Sequence, residues 1–218
     1  MIYATGIITA VILYIASVYY LDERYEVEVK SQIQHLSLKL KGNQIMAGGY
    51  LLSALAIGYL FPKYGYGVLA MVKALYLIAF SMVIAYVDQK EQRIPEKILI
   101  VLLWSALLFR VIEIAIQPSV LIQTTGSAAM GSVLGGGIFL VAHLLYGSGI
   151  GVDAVKLFGV IGLYVGSYTV FGIMLISLLL AAIVGIGAII LRKSRARQKV
   201  PFGCCVAVGV ILVMLLGF

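Results

Sequence analysis

Long apolar runs broken by short polar gaps set the pattern of this chain. About 20 apolar residues cross the hydrocarbon core of a bilayer as a helix. On that rule the sequence predicts about eight membrane helices, at residues 1–21, 44–62, 66–87, 97–116, 127–147, 154–167, 168–191 and 201–218. The sixth is short, and its border with the seventh falls at Gly166 and Ser167. Pro62, Lys63 and Gly65 make the gap at 62–66 a tight turn. The longest polar gap is the loop 22–43. There Val29, Ile33, Leu36 and Leu40 recur at helical spacing, while Leu36, Leu38 and Leu40 alternate. That pattern suits an interfacial helix and a short hairpin equally.

Composition sharpens the class. Of 218 residues, 62% are hydrophobic and 11% charged, too little polar surface for a soluble domain. The expected fold is all-α, a polytopic membrane protein in which residues 1–218 form one membrane-embedded domain. Met1 to Leu21 lacks a basic leading region, so it is expected to stay as a membrane helix. A net charge of +7 does not imply nucleic acid here, because the basic residues lie in short gaps between apolar runs. The gaps 22–43, 88–97, 147–156 and 192–200 hold 13 of the 16 lysines and arginines. Basic loops stay on the cytoplasmic side, so both termini are expected outside a cytoplasmic membrane.

That orientation puts two acids, Asp88 and Asp153, on the cytoplasmic face. Alone, Asp88 is an ordinary loop acid, and Asp153 is an acid favoured near a helix start by free amides and the dipole. Together they permit a specific chemistry. Like charge keeps two close carboxyls from ionising at once, so one holds a proton while the other activates a water for peptide hydrolysis. This needs no metal or cofactor. His35 and His143 stand apart, and Cys204 and Cys205 are adjacent with no CxxC spacing. Arg110 and Glu113 lie three apart on one helix and are expected to pair. With Lys73, which is expected to reach the outer interface, they also suit the substrate path of a transporter. Gly126, Gly131, Gly135, Gly136 and Gly137 in the fifth span, with Gly159, Gly162 and Gly166 in the sixth, predict close helix approach.

Around the two acids the chain resembles the type IV prepilin peptidase family, intramembrane aspartyl proteases of the GxGD class. The family's first motif is an aspartate followed six residues on by Ile-Pro-Asn. Here it stands as Asp88 with Ile94 and Pro95, and Glu96 replaces the asparagine. The second motif is Gly-x-Gly-Asp-x-Lys-Leu. Here it stands around Gly149, Gly151, Asp153, Lys156 and Leu157. Pro201, Phe202 and Gly203, opening the last span, are a third echo, and the resemblance covers roughly residues 66–218. It implies an endopeptidase that cuts the leader of type IV prepilin-like proteins at the cytoplasmic membrane face, just before the substrate's hydrophobic helix. Asp88 and Asp153 would be catalytic. Gly149 and Gly151 would keep the loop open to an extended substrate, and Lys156 would hold the local charge balance. The partner would be a prepilin or pseudopilin with a basic leader, drawn by Glu91 and Glu96 and embedded in membrane lipid.

Two departures bear on this. The family's aspartate stands two residues before the lysine, where this chain has Ala154, and Asp153 is one residue early. One residue turns a helical side chain by about 100°. Either Asp153 works from a locally unwound helix start, or the second acid is absent, by natural degeneration or by an Asp-to-Ala substitution. An inactive relative would bind prepilins without cutting them. The family's long forms carry CxxC pairs in a cytoplasmic insertion and methylate the new N-terminus. This sequence has no such pairs. It is therefore similar to short forms serving Flp/Tad pili, competence pseudopili or archaeal-type filaments.

Overall fold

The computed structural model describes residues 2–25, 48–49, 52–61, 63–146, 151–190 and 202–217. Among them the regular elements are helices: α1 (Ile2–Tyr25), α2 (Leu52–Phe61), α3 (Val68–Glu91), α4 (Glu96–Ile116), α5 (Leu121–Tyr146), α6 (Val152–Val165), α7 (Ser167–Ile190) and α8 (Phe202–Leu216). A 3-10 turn at Pro118–Val120 precedes α5. Among the described residues α3, α4, α5 and α7 contain segments long and apolar enough to cross a membrane, which makes this an all-α, multi-pass membrane protein.

Helix ends depart from the apolar runs, because hydropathy marks lipid contact while helices end at caps. The α3 helix continues to Glu91, so Asp88 lies in its last turn and not in the loop beyond. The α5 helix begins at Leu121, straight out of the turn that Pro118 opens. The α1 helix extends to Tyr25, and the rest of the loop 22–43 falls outside the described residues.

Two compact units are present, Met1–Val83 with Met214–Gly217, and Ile84–Val213. In the first, the expected turn after α2 forms. Tyr64 N–H donates to Leu60 O (3.0 Å), Tyr66 N–H to Phe61 O (2.9 Å), and Gly65 takes a left-handed φ of 76°. The Tyr66 hydroxyl donates to Gly217 O at 2.9 Å.

The second unit is built on α5, α6 and α7. Here α5 and α6 run antiparallel, with Gly131 facing Gly162 and Gly136 facing Gly159. A Cβ on Gly131 would stand 2.5 Å from the Gly162 carbonyl, and one on Gly135 would stand 2.5 Å from the Phe158 carbonyl. Only glycine permits backbones this close. The expectation does not extend to Gly126 and Gly137, which face open space. At Gly166, with φ of 88°, α6 stops and the chain turns into α7. Val170 of α7 then lies back against Gly135.

The α6 helix is fastened to α4 at both ends. Arg110 on α4 pairs with Glu113 at 2.8 Å, as their spacing predicts. Its Nη2 donates to Leu163 O (3.1 Å) and Tyr164 O (3.4 Å), among the last carbonyls of α6, which lack partners within the helix. At the other end Lys156 Nζ donates to Glu96 Oε1 in the first turn of α4.

Candidate active site

Asp88 owes its place to how α3 ends. Gln92 N–H bonds Asp88 O at 2.9 Å, and Gln92 takes a φ of 53°, stopping the helix one turn after the acid. The chain then turns through Ile94 and Pro95, both buried. Pro95 caps α4, accepting Ile98 N–H at 3.1 Å. The buried Ile-Pro pair thus fixes the turn that leads from the end of α3, just after Asp88, into α4.

The Asp88 side chain is 7% exposed. Its Oδ2 accepts the amide of Gly203 at 2.7 Å. Gly203 is the second residue of α8, where amides have no partner within the helix and the dipole favours a negative charge. A Cβ on Gly203 would come within 3.0 Å of Asp88 Cβ and Oδ2, so the approach depends on glycine. Beside it, Phe202 packs with Phe139 and Phe158 at centroid distances of 5.8 and 6.0 Å. Phe139 and Phe158 stack at 4.4 Å. This aromatic cluster joins α5, α6 and α8 next to the acid.

The second motif sits on the first turn of α6. Gly151 is the N-cap in extended conformation, and its carbonyl accepts Ala154 N–H at 3.0 Å. Asp153 is therefore a helical residue of the first turn, not an unwound one, and no side chain caps the helix. It is partly exposed. Ala154 is 8% exposed and shares the buried face of Leu157, Phe158 and Ile161. The face that carries Ala154 is thus the one whose Phe158 packs on Phe202, next to the amide that holds Asp88.

The two motifs meet through Lys156 and Glu96, 60 residues apart, on side chains 47% and 70% exposed. Gly149 lies outside the described residues, as does Pro201. Two partnerships were not foreseen, the amide of Gly203 on Asp88 and the link from Lys156 to Glu96. A signal for the first existed in Phe202-Gly203 at a helix start. Cys204 lies beside this contact, with Sγ 3.6 Å from Ala85 O, and both cysteines are free. Among the described residues no group of three His, Cys, Asp or Glu is placed to hold a metal.

Residues 75–186, just over half of the chain, match the type IV leader peptidase family. The Prepilin leader peptidase/N-methyltransferase of Aeromonas salmonicida (strain A449) is 29% identical over 161 residues, covering 70% of this chain and 51% of that protein. The protein of the same name from Aeromonas hydrophila is 28% identical over 161 residues, with the same coverage. The chain therefore spans about half the length of the curated relatives it matches. No solved structure matches it.

Proposed function

Because this chain belongs to the type IV leader peptidase family, we propose that it is an intramembrane aspartyl endopeptidase that cleaves the leader peptide of prepilin-like proteins at the cytoplasmic membrane face. Asp88 and Asp153 share the acid and base roles, Asp153 acting from the helical first turn of α6 and not from an unwound start. One observation carries this reading: Asp88 is buried, with its Oδ2 held by the Gly203 amide at the start of α8. One carboxylate takes a proton from water while the other acid protonates the departing amide nitrogen. Water's hydroxyl joins the carbonyl carbon, and the peptide C–N bond breaks.

In this reading the topology has about eight crossings with both termini outside, supported by the 13 basic residues in alternate loops. Arg110 does not suit a transport path, because it is engaged with Glu113 and the end of α6.

A second reading has its own observation. Ala154, not Asp153, occupies the buried face beside Phe158 and Phe202. On that ground the chain would be a prepilin-binding relative that lacks its second acid. Cleavage of a prepilin by the purified protein in detergent decides between them. Activity lost in both Asp88→Ala and Asp153→Ala supports the first reading. Activity that appears only in Ala154→Asp supports the second, and full activity in Asp88→Ala sinks both.

A further inference from the structure

An open groove of about 430 Å³ lies between α4, α5 and α6. Ile100 and Leu103 line it from α4, Val155, Gly159 and Val160 from α6, and Ser132 from α5. Charge is confined to one end, where Glu96 and Lys156 form the lip. That end lies by the starts of α4 and α6, with Lys156 three residues from Asp153. From there the groove follows α4 and α6 away from Asp153. Its α4 wall faces outward, with Ile100 53% exposed.

We propose that this groove seats the first turns of the substrate's apolar helix, and that Glu96 and Lys156 receive the two chain ends that cleavage creates. The inference rests on the peptidase reading and adds a subsite to it. A substrate of that kind is polar before the scissile bond and apolar after it. The groove repeats that order, charged at the end near Asp153 and apolar beyond. Hydrolysis leaves an ammonium at the head of the apolar helix and a carboxylate at the end of the leader. Glu96 complements the first and Lys156 the second. Before substrate arrives, their mutual pairing neutralises both.

Ile100→Trp and Leu103→Trp fill the groove from its outer wall. Leu108→Trp, on exposed α4 surface outside the groove, is the control. Two substrates are compared with the purified full chain, a prepilin with its complete helix and a soluble peptide ending a few residues past the scissile bond. The groove variants are expected to raise KM for the complete prepilin about tenfold, with kcat within about twofold, removing its advantage over the peptide. Leu108→Trp leaves that advantage in place. If the groove variants keep the wild-type KM for the prepilin while wild type cleaves it, the groove proposal is overturned and the peptidase reading stands. Unchanged KM with loss of co-purifying phospholipid assigns the groove to lipid and also overturns it. If wild type cleaves neither substrate, the peptidase reading itself fails.

Discussion

The amide of Gly203 stands 2.7 Å from Oδ2 of Asp88, so the start of α8 holds a carboxylate that lies 115 residues earlier in the chain. A methyl group on Gly203 would press on Asp88 Cβ and Oδ2 at 3.0 Å. Gly203→Ala is expected to displace the acid, lowering cleavage about ten- to a hundredfold. The overpacking should cost about 1–3 kcal/mol. Cleavage kinetics beside a thermal melt in detergent measure the two effects separately. Wild-type turnover in this variant would show that the contact does not position Asp88.

Asp88→Asn keeps the shape of the side chain and an oxygen for the Gly203 amide, but it removes the ionisable proton. The melting temperature should stay near that of the wild type while cleavage falls about a hundredfold or more. A similar loss of both would instead mark Asp88 as a structural residue.

Glu96 and Lys156 pair on an exposed surface, where ion pairs add little to stability. Lys156→Gln should therefore leave the melting temperature unchanged and act only on cleavage. The double swap Glu96→Lys with Lys156→Glu restores the tie between α4 and α6 but reverses the lip. If the lip receives the new chain ends, the swap does not rescue KM. Full rescue would reduce the pair to a strap between helices.

Gly162 faces the Gly131 backbone, and a Cβ there would stand 2.8 Å from Ser132 N. Gly162→Ala is expected to destabilise the protein by about 1–3 kcal/mol or more. Gly137→Ala, which meets open space, should be neutral and serves as the comparison in the same melt.

Much of the architecture was legible because apolar runs and helices coincide in a membrane chain. The tight turn at Gly65, the break at Gly166, the pairing of Arg110 with Glu113 and the glycine contact between α5 and α6 all follow from local residue chemistry. The partners of the two motifs do not. Whether Gly203 meets Asp88, or Lys156 meets Glu96, is decided by how distant helices pack, and no periodicity encodes that. Helix phase was half visible. One residue separates Asp153 from Ala154, and only the packing of Phe158 on Phe139 reveals which of them turns inward.

Arg110→Met removes the guanidinium from Glu113 and from the carbonyls of Leu163 and Tyr164. Breaking these largely buried charged contacts should cost about 2 kcal/mol or more. The far end of α6 would loosen first, so amide exchange should accelerate near Tyr164 before it does near Gly151. Uniform acceleration along the helix would argue against a local clasp.

That clasp also fixes how the protein meets its solvent. With 14 residues, α6 is about 21 Å long, against a hydrocarbon core of about 30 Å. Held to α4 at its far end and packed closely on α5, it has little freedom to slide or tilt to make up the difference. In the proposed topology, where α6 is one of the crossings, the bilayer must thin around it or admit water over its first turn, where Asp153 sits. For the proposed peptidase, acyl-chain length then becomes a control on cleavage: long-chain lipid vesicles should bury Asp153 more deeply and slow cleavage relative to thinner membranes.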